Sequence, residues 1–140
     1  MHIYKRKIHY YETDQMGIVH HSNYIRFFEE ARVSYLEAIG YPYQKLEARN
    51  LFSPLTGVNC RYHAPLVFGD EILIIPRLSF FNGVRMHVSY TIKKADDVET
   101  LYASGETQHC FTNRSGRPVS LKKMAPDVYA LFASYVVEGE

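Results

Sequence analysis

From Tyr24 onward, apolar side chains recur every three or four positions, at Tyr24, Phe27, Phe28, Ala31, Tyr35, Ala38 and Ile39. Arg26, Glu29, Glu30 and Glu37 fall between them, so the segment reads as an α-helix with one greasy face. Ser22 or Asn23 is placed to cap its start, and Gly40 followed by Pro42 to stop it. Ahead of it, residues 2–12 alternate in the manner of a strand, and the chain breaks between Asp14 and Gly17. Beyond it, Tyr43 to Asn50 is ambiguous, with a short helix one reading, and strand-like runs follow over 54–64, 70–81, 84–95 and 98–112.

Asn82-Gly83 between two such runs is a strong hairpin signal, because both residues tolerate positive φ. Val84, Met86, Val88, Tyr90 and Ile92 alternate with Arg85, His87, Ser89, Thr91 and Lys93, one buried face against one wetter face. Asp96-Asp97 marks the next turn, residues 113–118 end the strands, and Pro126 opens a short helix with Val128, Leu131, Phe132 and Tyr135 on one side. One long helix followed by consecutive antiparallel strands is an α+β order. The simplest packing lays the greasy helix face across the concave face of the sheet.

Length and composition narrow the function classes. A chain of 140 residues fits one domain, expected to span 1–140. With 16 Lys+Arg against 15 Asp+Glu, the net charge of +1 gives no global pull towards nucleic acid or a membrane surface. No stretch approaches the ~20 apolar residues of a membrane span, and the opening residues lack the apolar run of a signal peptide. Cys60 and Cys110 lie in apolar alternating stretches and read as buried thiols rather than a disulfide. A soluble cytoplasmic protein is the expectation.

Candidate chemistry concentrates between Tyr11 and Tyr24, where Asp14, Gly17, His20 and His21 sit just ahead of the helix. A carboxylate at Asp14 is ionised at neutral pH unless buried, and the helix start offers unpaired N–H donors with positive partial charge. The bland reading keeps Asp14 as a turn or capping acid and Gly17 as a loop glycine. His20 and His21 invite a metal, but adjacent residues seldom aim at one centre and no zinc spacing follows, so no metal is expected. His63, His87 and His109 fall in predicted strands, as surface or hydrogen-bonded residues. Arg114, Arg117, Lys122 and Lys123 form a basic stretch that reads as a phosphate clamp or as solvated surface, and Arg85 beside the hairpin is a further candidate.

Tyr10 and the run ETDQMGIVHHSNY, Glu12 to Tyr24, resemble the signature of hot-dog-fold acyl-CoA thioesterases. The branch is that of the 4-hydroxybenzoyl-CoA thioesterases, including the Tol-Pal-associated acyl-CoA thioesterases. RYHAPLVFGDEI, Arg61 to Ile72, is similar to a second element of the same family. The resemblance implies a hot-dog fold, a long central helix wrapped by an antiparallel sheet, and hydrolysis of an acyl-CoA thioester without metal or cofactor. Asp14 matches the catalytic carboxylate, acting as general base or nucleophile. His21 matches the position whose backbone N–H polarises the carbonyl, and Tyr10 matches a tyrosine functional in part of the family. Substrate contacts are expected at Gly17, Val19 and Tyr24, with Arg85, Arg117 and Lys122 towards the coenzyme A phosphates. An acyl-carrier protein is a further candidate partner, and the assembly implied is a homodimer or a dimer-of-dimers tetramer. Two alternatives stay open: a hot-dog hydratase or dehydratase, and a non-catalytic acyl-CoA or acyl-carrier-protein binding module.

Overall fold

The computed structural model describes residues 1–136, so the last four positions of the expected 1–140 span lie outside the described residues. Five strands, β1 (Tyr4–Lys7), β2 (Leu55–Tyr62), β3 (Glu71–Phe81), β4 (Arg85–Lys94) and β5 (Ala103–Cys110), form an antiparallel sheet in the order β1-β3-β4-β5-β2. The helices are α1 (Asn23–Ala38), α2 (Tyr43–Ala48), α3 (Leu121–Met124) and α4 (Pro126–Ala133). The α+β expectation holds, and the ambiguous stretch after α1 is helical.

Helix α1 lies against the sheet through Phe27, Phe28, Ala31 and Tyr35, which join Ile72, Ile74, Leu78, Met86, Val88 and Ile92 in one core. Phe28 stacks on Tyr90 with ring centroids 4.4 Å apart and planes at 10°. Gly105 makes this approach possible. A Cβ there would lie 2.6 Å from Phe28 Cε2 and collide with the carbonyl of Asn59 on the neighbouring strand. At the far end of the sheet, Phe132 of α4 packs on Phe81 and Phe111 and closes the core.

The strand alternation of β4 is as expected for Met86, Val88, Tyr90 and Ile92, which are buried, but Val84, expected on the same face, precedes the strand in the Asn82-Gly83 turn region and is exposed. Other expectations need correction. The alternation over 2–12 is strand only from Tyr4 to Lys7, and Tyr10–Glu12 is a 3₁₀ turn. Its cause is the Glu12 carboxylate, which accepts the His9 N–H at 2.8 Å and curls the chain back on itself. The strand expected over 98–112 begins at Ala103, because Asp97 draws the preceding residues into a turn through Thr100 N–H at 3.3 Å and the Tyr102 hydroxyl at 2.9 Å. Ser22 stands at the helix start without capping it; its hydroxyl is paired with His20 Nδ1 at 2.8 Å instead. Ala38 is exposed, whereas Arg32, placed by the pattern on neither face, is buried. Cys60 and Cys110 are free thiols, half-buried rather than buried.

Candidate active site

Isolated bridges between Thr13 and Val19 and between Ile18 and Val67 fold the signature segment into a small hairpin beside the loop that enters β3. At its tip the Asp14 carbonyl accepts Gly17 N–H, and Asp14 N–H donates to the Ile18 carbonyl, both at 2.9 Å. Gly17 has φ +80°, the left-handed position that closes a three-residue hairpin loop. A Cβ at Gly17 would meet nothing within 4 Å, so the backbone angle, not a close neighbour, calls for glycine. Asp14 Oδ1 accepts Met16 N–H at 2.8 Å, which fixes the carboxylate. Its second oxygen has no hydrogen-bond partner among the described residues, and the side chain is half-buried.

The returning arm of the hairpin runs straight into α1. Val19, 4% exposed, donates its N–H to the Leu66 carbonyl at 2.8 Å, and His20 N–H donates to the Glu12 carbonyl at 2.9 Å. The exposed His21 stacks its ring on His20 at 4.1 Å. Its carbonyl accepts Tyr24 N–H and the Tyr62 hydroxyl, each at 3.3 Å. Its own N–H is paired with no described residue. From Ile18, opposite Asp14, to His21 is a span of at most roughly 11 Å of extended chain. One hairpin therefore carries an ionisable carboxylate and an open backbone donor. Tyr24, buried and edge-on to Tyr62 at 4.8 Å, seats the helix start. Burial first, then its neighbours Cys60 and Tyr62, pushes the Tyr24 hydroxyl up to about 12, so it stays protonated at neutral pH.

A buried ionic clamp, not foreseen from the sequence, holds the hairpin. Arg6 of β1 pairs with the Glu12 carboxylate through Nη2 and with both Glu30 oxygens through Nη1 at 2.9 Å, while its guanidinium lies 4.5 Å from the Phe27 ring centroid. The Glu12 carbonyl takes a second donor, Asn23 Nδ2, at 2.8 Å. Strand β1, the hairpin and α1 are thereby locked together. The sequence signal was available: Glu12 and Asn23 both lie inside the quoted signature, but Glu12 stood there as an unremarked polar letter and Asn23 was read only as a cap for the helix.

Tyr10 is 76% exposed and meets Phe68 edge-on at 5.5 Å, rather than packing in a strand. Arg85, Arg117 and Lys122 do not join Asp14 within one chain. The Asp14 hairpin sits at the Glu71 end of β3, whereas Arg85 follows the hairpin at its Phe81 end, roughly 30 Å of strand away. Lys122 is held at that same far end, next to Leu121, whose N–H reaches the Gly83 carbonyl at 2.9 Å, and Arg117 lies in the turn after β5. His63 and His109 are hydrogen-bonded, to Ser104 at 3.0 Å and to Thr107 at 2.9 Å. No group of three or more His, Cys, Asp or Glu side chains suited to a metal occurs among the described residues. A cavity of about 770 Å³ opens between α1 and the start of β2.

Residues 8–132 match the family model of the thioesterase-like superfamily. An inferred esterase of Aquifex aeolicus is 37% identical over 126 residues, covering 90% of this chain and 95% of its own. YneP of Bacillus subtilis, an inferred acyl-CoA thioesterase, is 29% identical over 134 residues, covering 94% and 96%. The crystal structure of a DHNA-CoA thioesterase from Staphylococcus aureus superposes with a TM-score of 0.88 at 25% identity, covering 94% of this chain and 88% of that one. The helix wrapped by a five-stranded sheet is thus the hot-dog fold of thioesterases.

Proposed function

Since this chain belongs to the thioesterase-like superfamily, we propose that it is an acyl-CoA thioesterase, hydrolysing the thioester to a free acid and coenzyme A. The observation that carries this reading is the hairpin that sets the Asp14 carboxylate and the unpaired His21 N–H ahead of α1. A thioester carbonyl resting on His21 N–H is polarised, and negative charge arriving on its oxygen meets a donor already in place. Asp14 removes a proton from the attacking water, or its free oxygen attacks the carbonyl carbon and water then cleaves the mixed anhydride. Either way the thiolate leaves as coenzyme A. An acyl-carrier protein presents the same thioester and is a second carrier for the reaction.

The separation of Asp14 from the basic residues supports a site shared by two copies. Strand β2 is an open edge, with Leu55, Val58 and Tyr62 exposed along it, no proline, and one charge, Arg61, towards its end; its irregularity at Leu55/Gly57 lies at the other end. Two copies joined antiparallel through β2 set the Leu55 end of one against the Tyr62 end of the other. That brings the basic end of one sheet beside the Asp14 hairpin of its neighbour. The protein works as a homodimer, with further pairing into a tetramer an extension of the same assembly. Among the described residues no helix is long and apolar enough to cross a membrane, and two free cysteines suit the reducing cytoplasm.

Asp14→Asn tests the reading. The variant should unfold at the wild-type temperature while thiol release from a good acyl-CoA substrate falls by on the order of 10²–10⁴-fold. Full activity in the variant would remove Asp14 from the chemistry. Change in enoyl absorbance without thiol release would indicate a hydratase instead.

A further inference from the structure

The inward face of β5 is polar where a core strand is normally apolar. Thr107 and His109 point under α1, and with Tyr90 they lead to Arg32, which is only 8% exposed. Thr107 Oγ1 lies 2.7 Å from the Tyr90 hydroxyl and 2.9 Å from His109 Nε2, and His109 Nδ1 lies 3.0 Å from the Ser53 carbonyl. Arg32 donates to the Tyr90 hydroxyl at 3.1 Å through Nη1 and to the Tyr43 hydroxyl at 2.7 Å through Nε.

This network leaves the Arg32 charge with only a distant, exposed counter-ion. A guanidinium has five N–H donors, and these two bonds use two of them. The nearest carboxylate, Glu29, is 4.0 Å from Nη2, beyond hydrogen-bond reach, and its side chain is 69% exposed. Buried charges are ordinarily paired, and an arginine fork fits a carboxylate through two parallel bonds. Arg32, Tyr43, Thr107 and His109 line the 770 Å³ cavity with the apolar Phe52 and Leu55, and its other charged groups, Arg26 and Arg114 against Glu29 and Glu47, balance one another. That volume lies within the usual range for small-molecule sites. His109 adds no competing charge, because burial and then the Arg32 cation hold its imidazole down at about 4.

We propose that this cavity receives the far end of the acyl group and that Arg32 binds a terminal carboxylate there, making the preferred substrate the coenzyme A thioester of a dicarboxylic acid. The inference rests on the thioesterase reading and on pairing through β2, which sets the Leu55 side of the cavity of one copy beside the Asp14 hairpin of the other. The carboxylate supplies the close, hydrogen-bonded counter-ion that Glu29 at 4.0 Å does not, and the apolar Phe52 and Leu55 take the methylene chain.

The test compares thiol release from adipoyl-CoA, hexanoyl-CoA and 4-hydroxybenzoyl-CoA by the intact protein. A charged hydrogen-bonded contact predicts a kcat/KM for adipoyl-CoA on the order of 10- to 100-fold above hexanoyl-CoA. In Arg32→Met that ratio should collapse towards one, and Arg32→Lys should recover part of it. Equal rates for the two aliphatic substrates, or a preference for the hydroxyaryl one, overturn the inference while leaving the hydrolase intact. Should no acyl-CoA release thiol, the activity reading fails, and thermal shift still reads the cavity. Free adipate should then raise the unfolding temperature of wild type, hexanoate should not, and Arg32→Met should abolish the difference. No adipate shift in that case overturns the cavity assignment as well.

Discussion

Substituting Glu12 isolates the clamp that holds the hairpin. The Glu12 side chain is 6% exposed and that of Arg6 10% exposed, so their pairing takes place away from solvent. Glu12→Ala leaves Arg6 with Glu30 alone and strips His9 N–H of its acceptor, and breaking a buried pair from one side typically costs 3–5 kcal/mol, taken here as roughly 3 because Glu30 remains. Glu12→Gln keeps the shape and one acceptor oxygen. It exchanges a charge-assisted bond, worth ~1.5–3 kcal/mol, for a neutral one of ~0.5–1.5, a loss of about 1–2 kcal/mol. Glu30→Gln, at a side chain 39% exposed, should cost under about 1 kcal/mol. For a chain of this size the Gln variant at position 12 should lower Tm by roughly 3–8 °C.

The readouts are thermal unfolding and steady-state thiol release on the same preparations. The predicted order of destabilisation is Glu12→Ala, then Glu12→Gln, then Glu30→Gln. In the folded Gln variant kcat should fall more than KM rises if the hairpin's Asp14 is the reacting carboxylate, as proposed. The reasoning is refuted if Glu12→Gln unfolds with wild type and turns over normally, or if Glu30→Gln is the more damaging of the two.

Gly105→Ala inserts a Cβ 2.6 Å from Phe28 Cε2 with backbone on its other side, so overpacking should cost about 1–3 kcal/mol, read as a lower midpoint in urea at unchanged slope. His109, 1% exposed, has a native pKa of about 4 against ~6.5 unfolded, with Arg32 and His87 as the charged neighbours opposing its protonation. Between those values the unfolded state binds more protons, so the contribution is complete above pH 6.5 and is lost as pH falls towards 4, by roughly 3 kcal/mol. His109→Gln should flatten that part of the pH–stability curve, and an unchanged acid limb would contradict it. Val58, 40% exposed in the middle of β2, would face its own copy across the pairing. Val58→Lys should give a folded monomer by light scattering with little thiol release; an active dimer would rule out pairing through β2.

The fold was largely legible because its hydrophobic periods are clean. The 3.6-residue repeat from Tyr24 and the two-residue repeat through β4 each name the face that meets the core. Legibility failed where polar groups decide the path. The alternation over 2–12 looks continuous, yet one carboxylate at Glu12 bends it into a 3₁₀ turn by taking the His9 N–H. ASGETQHC, which forms β5, has almost no apolar alternation, and its inward polar residues become intelligible only through Arg32 and Tyr90, which are 75 and 17 residues from Thr107 in sequence. The grouping of candidate residues was hidden for a topological reason. Nothing in the order of letters places Arg85 at the opposite end of the sheet from Asp14; the strand order does.

Turn chemistry accounts for more of the signature than its sequence suggests, and this locates the discriminating feature. Asp14 and Gly17 are what a three-residue hairpin loop asks for, and Gly69, at φ +88°, with Asp70, whose Oδ2 takes Val67 N–H at 2.8 Å, does the same in the second motif. An acid and a glycine in such loops would persist in a protein with no activity at all. The backbone around His21 is harder to explain that way. The His20 N–H is tied to Glu12, the Asn23 N–H to the His20 carbonyl and the Tyr24 N–H to the His21 carbonyl, while Tyr62 reaches in from β2 to hold that carbonyl as well. Of these backbone donors the His21 N–H alone is left open between fixed neighbours, at an exposed residue. On the proposed thioesterase reading this fixed, open donor is the one an oxyanion would meet, and it sets the hairpin apart from an ordinary turn carrying an aspartate.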